Sequence, residues 1–137
     1  MSSYTYTTTV MLPATDAAGV VFFANYFALC HDAYESFMGS IGFGFRFIFE
    51  QADYLLLIVH AEADYKQPLR VGDKVTVTLD AEEIGRSSFT RAYTIACADG
   101  STTCAARTVH AAVDKKSGRA VRLSSRLSEE LASIKQS

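Results

Sequence analysis

The 137-residue chain has no tryptophan, two prolines, one asparagine and three cysteines, and no excess of either charge. Its 13 basic and 15 acidic residues leave a net charge of −2. No broad cationic field therefore exists to hold nucleic acid or an anionic membrane. An anionic ligand has to be caught by a few local bases. Cys30, Cys97 and Cys104 are odd in number and show no C-x-x-C spacing, which fits a reducing compartment and neither a disulfide framework nor a zinc site. Met1 to Pro13 has no cationic start leading into an apolar core, so no signal peptide is expected. The longest apolar stretch, Ala17 to Cys30, is interrupted by Gly19 and Asn25 and stops at His31-Asp32, too short to cross a bilayer. Neither a P-loop nor a G-x-G-x-x-G motif occurs, so nucleotide hydrolysis and hydride transfer have no support. These absences predict a cytoplasmic protein without membrane insertion.

Apolar residues make up 49 % of the chain and charged residues 20 %, the balance of a globular protein. Residues 1–137 are read as a single domain, long enough to bury a core without disulfide staples. Tyr4 to Leu12 is rich in aromatic and β-branched residues and reads as a strand closed by Pro13. Ala24 to Met38 shows helical spacing, with Tyr26, Cys30, Ala33 and Phe37 at steps of four, three and four. That helix is apolar around most of its girth, so something must wrap it. Strands are predicted over Tyr54 to Tyr65, around Val75 to Leu79, over Ser88 to Ala98 and over Thr102 to Asp114. Asp99-Gly100 marks a tight hairpin. Ser124 or Ser125 caps a final short helix carrying Leu127, Leu131 and Ile134. The expected class is α+β, one long buried helix followed by an antiparallel meander.

The most informative segment runs from Thr15 to Tyr26. It places Asp16 in a tight, small-residue loop just before an apolar helix start. Helix N-termini present unpaired N–H groups and partial positive charge, which polarise a carbonyl where negative charge develops. A carboxylate facing that point can attack the carbonyl or activate water. On spacing alone, Asp16 reads first as an ordinary turn or cap residue, as Asn25 reads as an ordinary helix-start residue. His31 and Glu35 lie four apart and share a helix face, but no second histidine pair supports a metal, and an i,i+4 contact accounts for them. Cys30 beside His31 points elsewhere and reads as core. His60 and His110 fall in predicted strands and read as structural. Gly85-Arg86-Ser87-Ser88, with Arg91 three residues on, offers two guanidinium groups and two hydroxyls to a phosphorylated ligand, or forms a solvated hairpin.

The segment from Asp16 to Tyr26 (DAAGVVFFANY) resembles the D-x-A-G-[IV]-V-x-[FY]-x-N-Y signature of hotdog-fold acyl-CoA thioesterases of the 4-hydroxybenzoyl-CoA thioesterase type. The resemblance extends through Arg86-Ser-Ser-Phe89, and the element order agrees across nearly the whole chain. Cys30 to Glu35 (CHDAYE) is similar to the C-H-[ED]-A-Y-E stretch of the branch acting on 1,4-dihydroxy-2-naphthoyl-CoA in quinone biosynthesis. Phe23 stands where the branch associated with the Tol–Pal system carries a histidine.

The resemblance implies a hotdog fold, a long central helix wrapped by an antiparallel sheet, paired into homodimers or homotetramers whose interfaces hold the active sites. It implies hydrolysis of an aromatic acyl-CoA without metal or organic cofactor. Asp16 would be the catalytic nucleophile or general base, and the backbone N–H groups of Val21, Phe22 and Phe23 would polarise the thioester carbonyl. Phe22, Phe23, Asn25, Tyr26 and His60 would shape the acyl pocket, while Arg86, Ser87 and Ser88 would contact CoA. Two other readings stand beside this one: a 4-hydroxybenzoyl-CoA or broad-range thioesterase, and a non-catalytic hotdog that binds acyl-CoA as a sensor.

Overall fold

The computed structural model describes residues 3–133. Its elements are β1 (Tyr4–Thr9), a single 3₁₀ turn (Leu12–Ala14), α1 (Asn25–Ser40), α2 (Phe45–Glu50), β2 (Tyr54–Tyr65), β3 (Lys74–Ile84), β4 (Ser88–Cys97), β5 (Thr102–Asp114) and α3 (Ser125–Ala132). Ile134, expected on the last helix, lies outside the described residues. Ser124 caps α3, its hydroxyl accepting from the Leu127 N–H at 3.1 Å. Among the described residues no helix is long and apolar enough to cross a membrane.

One antiparallel sheet forms, in the order β1-β3-β4-β5-β2. The expected meander holds for β3-β4-β5 and fails for β2, which pairs with β5 at the far edge. Residues 66–73 carry the chain back across the sheet, anchored by buried Leu69, whose carbonyl accepts the Val21 N–H at 2.7 Å. β1 and β2 are left as the edges.

The sheet curls around α1, as the resemblance implied. Tyr26, Leu29, Cys30, Ala33, Tyr34, Phe37 and Met38 of the helix are buried. Beneath them lie Val75, Val77 and Leu79 of β3, Phe89, Tyr93 and Ile95 of β4, and Cys104 and Ala106 of β5. The wrapping is incomplete, contrary to the expectation from the apolar stripe. Ala28, His31, Asp32 and Glu35 form an open face along α1, because the sheet ends at β2. Helix α2 is absent from the sequence reading. It closes one end of the core through buried Ile48, and its carbonyl end is held by the Lys115 ammonium, which donates to Ile48 O, Phe49 O and Ala52 O at 2.7, 3.0 and 2.6 Å.

Candidate active site

The loop before α1 is a miniature hairpin. Phe22 N–H donates to Ala14 O at 3.0 Å, Thr15 bridges Val21, and Asp16 N–H donates to Val20 O at 2.9 Å. Gly19 turns the chain at φ +82°, the left-handed region that glycine enters without a Cβ penalty. Asp16 thus sits two ladder steps from Phe22, about 7 Å along an extended chain. One carboxylate oxygen accepts from Ala18 N–H at 2.8 Å, which fixes the side chain in an Asx turn. The other oxygen takes no protein donor among the described residues, and the side chain is exposed.

Helix α1 starts without a side-chain cap, Ala24 occupying that position. Its first amides tighten into three-residue turns, Asn25 to Phe22 O, Tyr26 to Phe23 O and Phe27 to Ala24 O. Two of the three amides expected to polarise a carbonyl are already committed: Val21 to Leu69 O and Phe22 to Ala14 O. Phe23 is the one of the three that remains, and Ala24 joins it. Among the described residues neither amide has a protein acceptor, so the anion-attracting end of α1 is carried by those two N–H groups.

The expected acyl-pocket residues divide. Phe23 and Tyr26 line a cavity of about 340 Å³ with Val21, Tyr65 and Pro68, where Tyr65 meets Tyr26 edge-on at 5.1 Å and Phe23 at 6.4 Å. Phe22 packs on Phe23 with ring centroids 4.7 Å apart. Asn25 does not line it: its side-chain amide donates to Ala14 O at 2.9 Å and so ties the loop to the helix. His60 is also misplaced by the expectation. A register shift between Ile58 and His60 turns it to the outer sheet face, where its Nε2 lies 2.9 Å from Glu62 in a row continued by Arg107 and Glu82. The His60 hydrogen bond holds the exposed Glu62 carboxyl below its ordinary value.

Arg86 and Ser87 lie in the β3–β4 turn and Ser88 opens β4, and within one chain they do not meet Asp16. The Asp16 loop is joined to Arg70 and Leu69, just before β3 begins at Lys74. The turn follows the other end of the same 11-residue strand, with roughly 35 Å of strand between them at ~3.3 Å per residue. Arg91 cannot assist Arg86. It is fully buried, its guanidinium 4.7 Å from the Phe37 ring and 5.3 Å from Phe89, and burial lowers its pKa to about 10.

Two adjoining cavities lie along the open face of α1 beside β2, meeting at His31 and Ile58. Phe27, Ala28 and His31 face Ile58 and Ala61 across a cavity of about 340 Å³. Beyond His31 a further cavity of about 330 Å³ opens between α1, α2 and β2. Sequence reasoning missed its aromatic walls. Phe45 and Phe49, four apart behind Gly44, were the available signal for α2.

A helix wrapped by one antiparallel sheet, with a carboxylate loop before its uncapped start, defines a hotdog domain. The chain belongs to the thioesterase-like superfamily, whose model matches residues 10–131. It is 34 % identical over 134 residues to a 1,4-dihydroxy-2-naphthoyl-CoA hydrolase of Rippkaea orientalis, covering 96 % of this chain and 97 % of that one. The corresponding hydrolase of Synechococcus elongatus is 33 % identical, with 96 % of each chain covered. Among solved structures, a 1,4-dihydroxy-2-naphthoyl-CoA thioesterase from Synechocystis superposes with a TM-score of 0.92 at 28 % identity, over 98 % of this chain and 99 % of that one.

Proposed function

We propose that this protein hydrolyses an aromatic acyl-CoA thioester, 1,4-dihydroxy-2-naphthoyl-CoA in quinone biosynthesis, to the free acid and CoA. The observation that carries the reading is the pairing of a free Asp16 carboxylate oxygen with two unclaimed amides, Phe23 and Ala24, at one uncapped helix start. The full-length similarity to naphthoyl-CoA hydrolases supports the substrate.

The thioester oxygen accepts from the Phe23 and Ala24 N–H groups, where charge that develops as the carbonyl becomes tetrahedral is stabilised. Asp16 either adds to that carbon, giving an anhydride that water then cleaves, or takes the proton of an attacking water. CoA leaves as the thiol. The aryl group lies beside α1, flanked first by Phe23, Tyr26 and Tyr65.

The CoA moiety is held by Arg86, Ser87 and Ser88 of a second copy. Their placement at opposite ends of β3, with roughly 35 Å of strand between them, supports this, and so do the open face of α1 and the unpaired edge of β2, since long edges tend to be paired or covered. The working form is a homodimer, or a pair of dimers. The three free cysteines, two of them buried, support a reducing, cytoplasmic setting.

Thiol release over naphthoyl-, 4-hydroxybenzoyl- and aliphatic acyl-CoA substrates tests the reading. Turnover highest on the hydroxynaphthoyl thioester is expected. Binding without turnover of any substrate would leave a sensor in its place. Co-expression of Asp16→Asn with Arg86→Ala tests the sharing. Mixed dimers regain one intact site and the low KM, whereas sites confined to single chains stay defective in both copies.

A further inference from the structure

The sequence offers Arg91 as a second guanidinium beside Arg86, and the fold removes it by burial. A replacement comes from the stretch after β5. Lys115, Lys116, Arg119, Arg122 and Arg126 fall within twelve residues that hold no acidic side chain, so a chain of net charge −2 carries one strongly basic stretch. Lys115 is spent on the carbonyls of α2. The others have no such duty.

Backbone bonds bring this stretch to the β3–β4 turn. After β5 the chain doubles back, with Asp114 N–H donating to Arg119 O at 2.8 Å and Val121 N–H to Ala112 O at 3.0 Å. Two residues on, Leu123 N–H donates to Arg86 O at 2.7 Å, while Ala112 N–H donates to Ser87 O at 2.8 Å. The returning segment and the turn therefore run side by side, their backbones about 5 Å apart. Leu123 is buried and anchors the segment. Successive side chains of an extended segment point to opposite sides, and Arg122, next to Leu123, is exposed, as Arg86 is.

Among the described residues neither guanidinium has an ion-pair or side-chain hydrogen-bond partner. Two like charges held side by side repel, and an anion placed between them relieves the repulsion. A phosphate suits the position, because it accepts charge-assisted bonds from both forks at once. The half-buried Ser87 and Ser88 add two hydroxyls. Gly85 N–H donates to Ser88 O at 2.8 Å and holds the turn in shape.

We propose that Arg122 joins Arg86 in a two-guanidinium clamp for a phosphate of the CoA moiety. The identity of the ligand rests on the function proposed above, but the clamp requires binding and not turnover. Arg122, like Arg86, stands at the opposite end of β3 from the Asp16 loop. It therefore grips the nucleotide end alike in ground and transition states and acts on KM, not on kcat.

Arg122→Ala is the test, and an exposed side chain without partners is expected to leave the melting temperature unchanged. Isothermal titration with free CoA reads binding without turnover. The variant is expected to bind CoA about tenfold more weakly, the measure of one charged hydrogen-bonding contact. Its affinity should also depend less on salt than that of wild type. Arg122→Lys keeps the charge without the fork and should fall between the two. In thiol release, Arg122→Ala should raise KM for the CoA thioester about tenfold with kcat within twofold, and leave KM for the pantetheine thioester within twofold. A loss that disappears with dephospho-CoA assigns the clamp to the 3′-phosphate; one that persists assigns it to the diphosphate. No CoA binding by wild type, CoA affinity within twofold of wild type in Arg122→Ala, or an equal rise in KM on the pantetheine thioester would overturn the proposal. CoA binding with the expected contrast but no turnover of any thioester would remove the hydrolase reading and leave the clamp standing.

Discussion

The side-chain amide of Asn25 donates to the Ala14 carbonyl over 2.9 Å, so the first residue of α1 holds the loop that carries Asp16. The same carbonyl accepts the Phe22 N–H at 3.0 Å. The relative position of carboxylate and helix start is thereby set by two hydrogen bonds converging on one oxygen.

Replacing Asn25 with alanine removes one of the two. Loss of a part-buried neutral hydrogen bond costs about 0.5–1.5 kcal/mol of stability. The catalytic effect is expected to be larger, about tenfold or more in kcat with little change in KM, because small misplacement of reacting groups is costly. Urea unfolding and steady-state thiol release on one preparation check both parts.

Asp16→Asn keeps the oxygen that accepts from Ala18 N–H, so the Asx turn and the melting temperature should survive. A fall of about a hundredfold or more in kcat is expected. Glu35→Gln should lose far less, because Glu35 lies on the helix about 18 Å beyond the Phe23 amide. The opposite ranking of the two variants in the same assay would move the catalytic carboxylate to α1.

His110 gives a stability profile with a defined sign. Its folded pKa is lowered from 6.5 to about 3, chiefly by burial. Between those values the unfolded chain binds a proton that the folded one refuses, so stability falls as the pH drops through that window. The contribution is complete above about pH 6.5 and amounts to several kcal/mol at most. Urea midpoints from pH 7 to pH 4 should decline more steeply in wild type than in His110→Phe. Parallel curves would show that His110 takes a proton readily in the folded state.

Lys115 is the clasp of α2. Its ammonium donates to three carbonyls at the end of that helix, and charged hydrogen bonds contribute about 1.5–3 kcal/mol each at most. Lys115→Met should lower the melting temperature by several degrees and raise amide exchange across residues 45–50 while sparing β3 and β4. Uniform acceleration through the sheet would mean that α2 unfolds only with the whole domain.

The stripe at Tyr26, Cys30, Ala33 and Phe37 made the long helix legible, and the alternation at Val75, Val77 and Leu79 did the same for β3. The family motif pointed to Asp16 and Phe23. Three things were hidden for physical reasons. The amides of Val21 and Phe22 are consumed by Leu69 and Ala14, partners that no local pattern predicts. Arg91 reads as a surface base, yet the inward register of Phe89, Arg91 and Tyr93 drives it into the core. His60 reads as facing the helix if β2 alternates without interruption.

The interruption in β2 has a consequence for how substitutions along that strand should be interpreted. Leu56 and Ile58 pair with inward-facing Ala112 and His110, whereas Ala61 and Ala63 pair with inward-facing Thr108 and Ala106. Even-numbered positions face the helix before Val59, and odd-numbered ones face it after. The strand is two half-strands in opposite phase, with Val59 as the phase step. Deleting that one residue would bring the halves into a common phase. Ile58 and Ala61 would then stand two apart, so Leu56, Ile58, Ala61 and Ala63 would all keep facing α1 in one unbroken alternation, and a one-residue gap at this point removes the bulge without exchanging the faces.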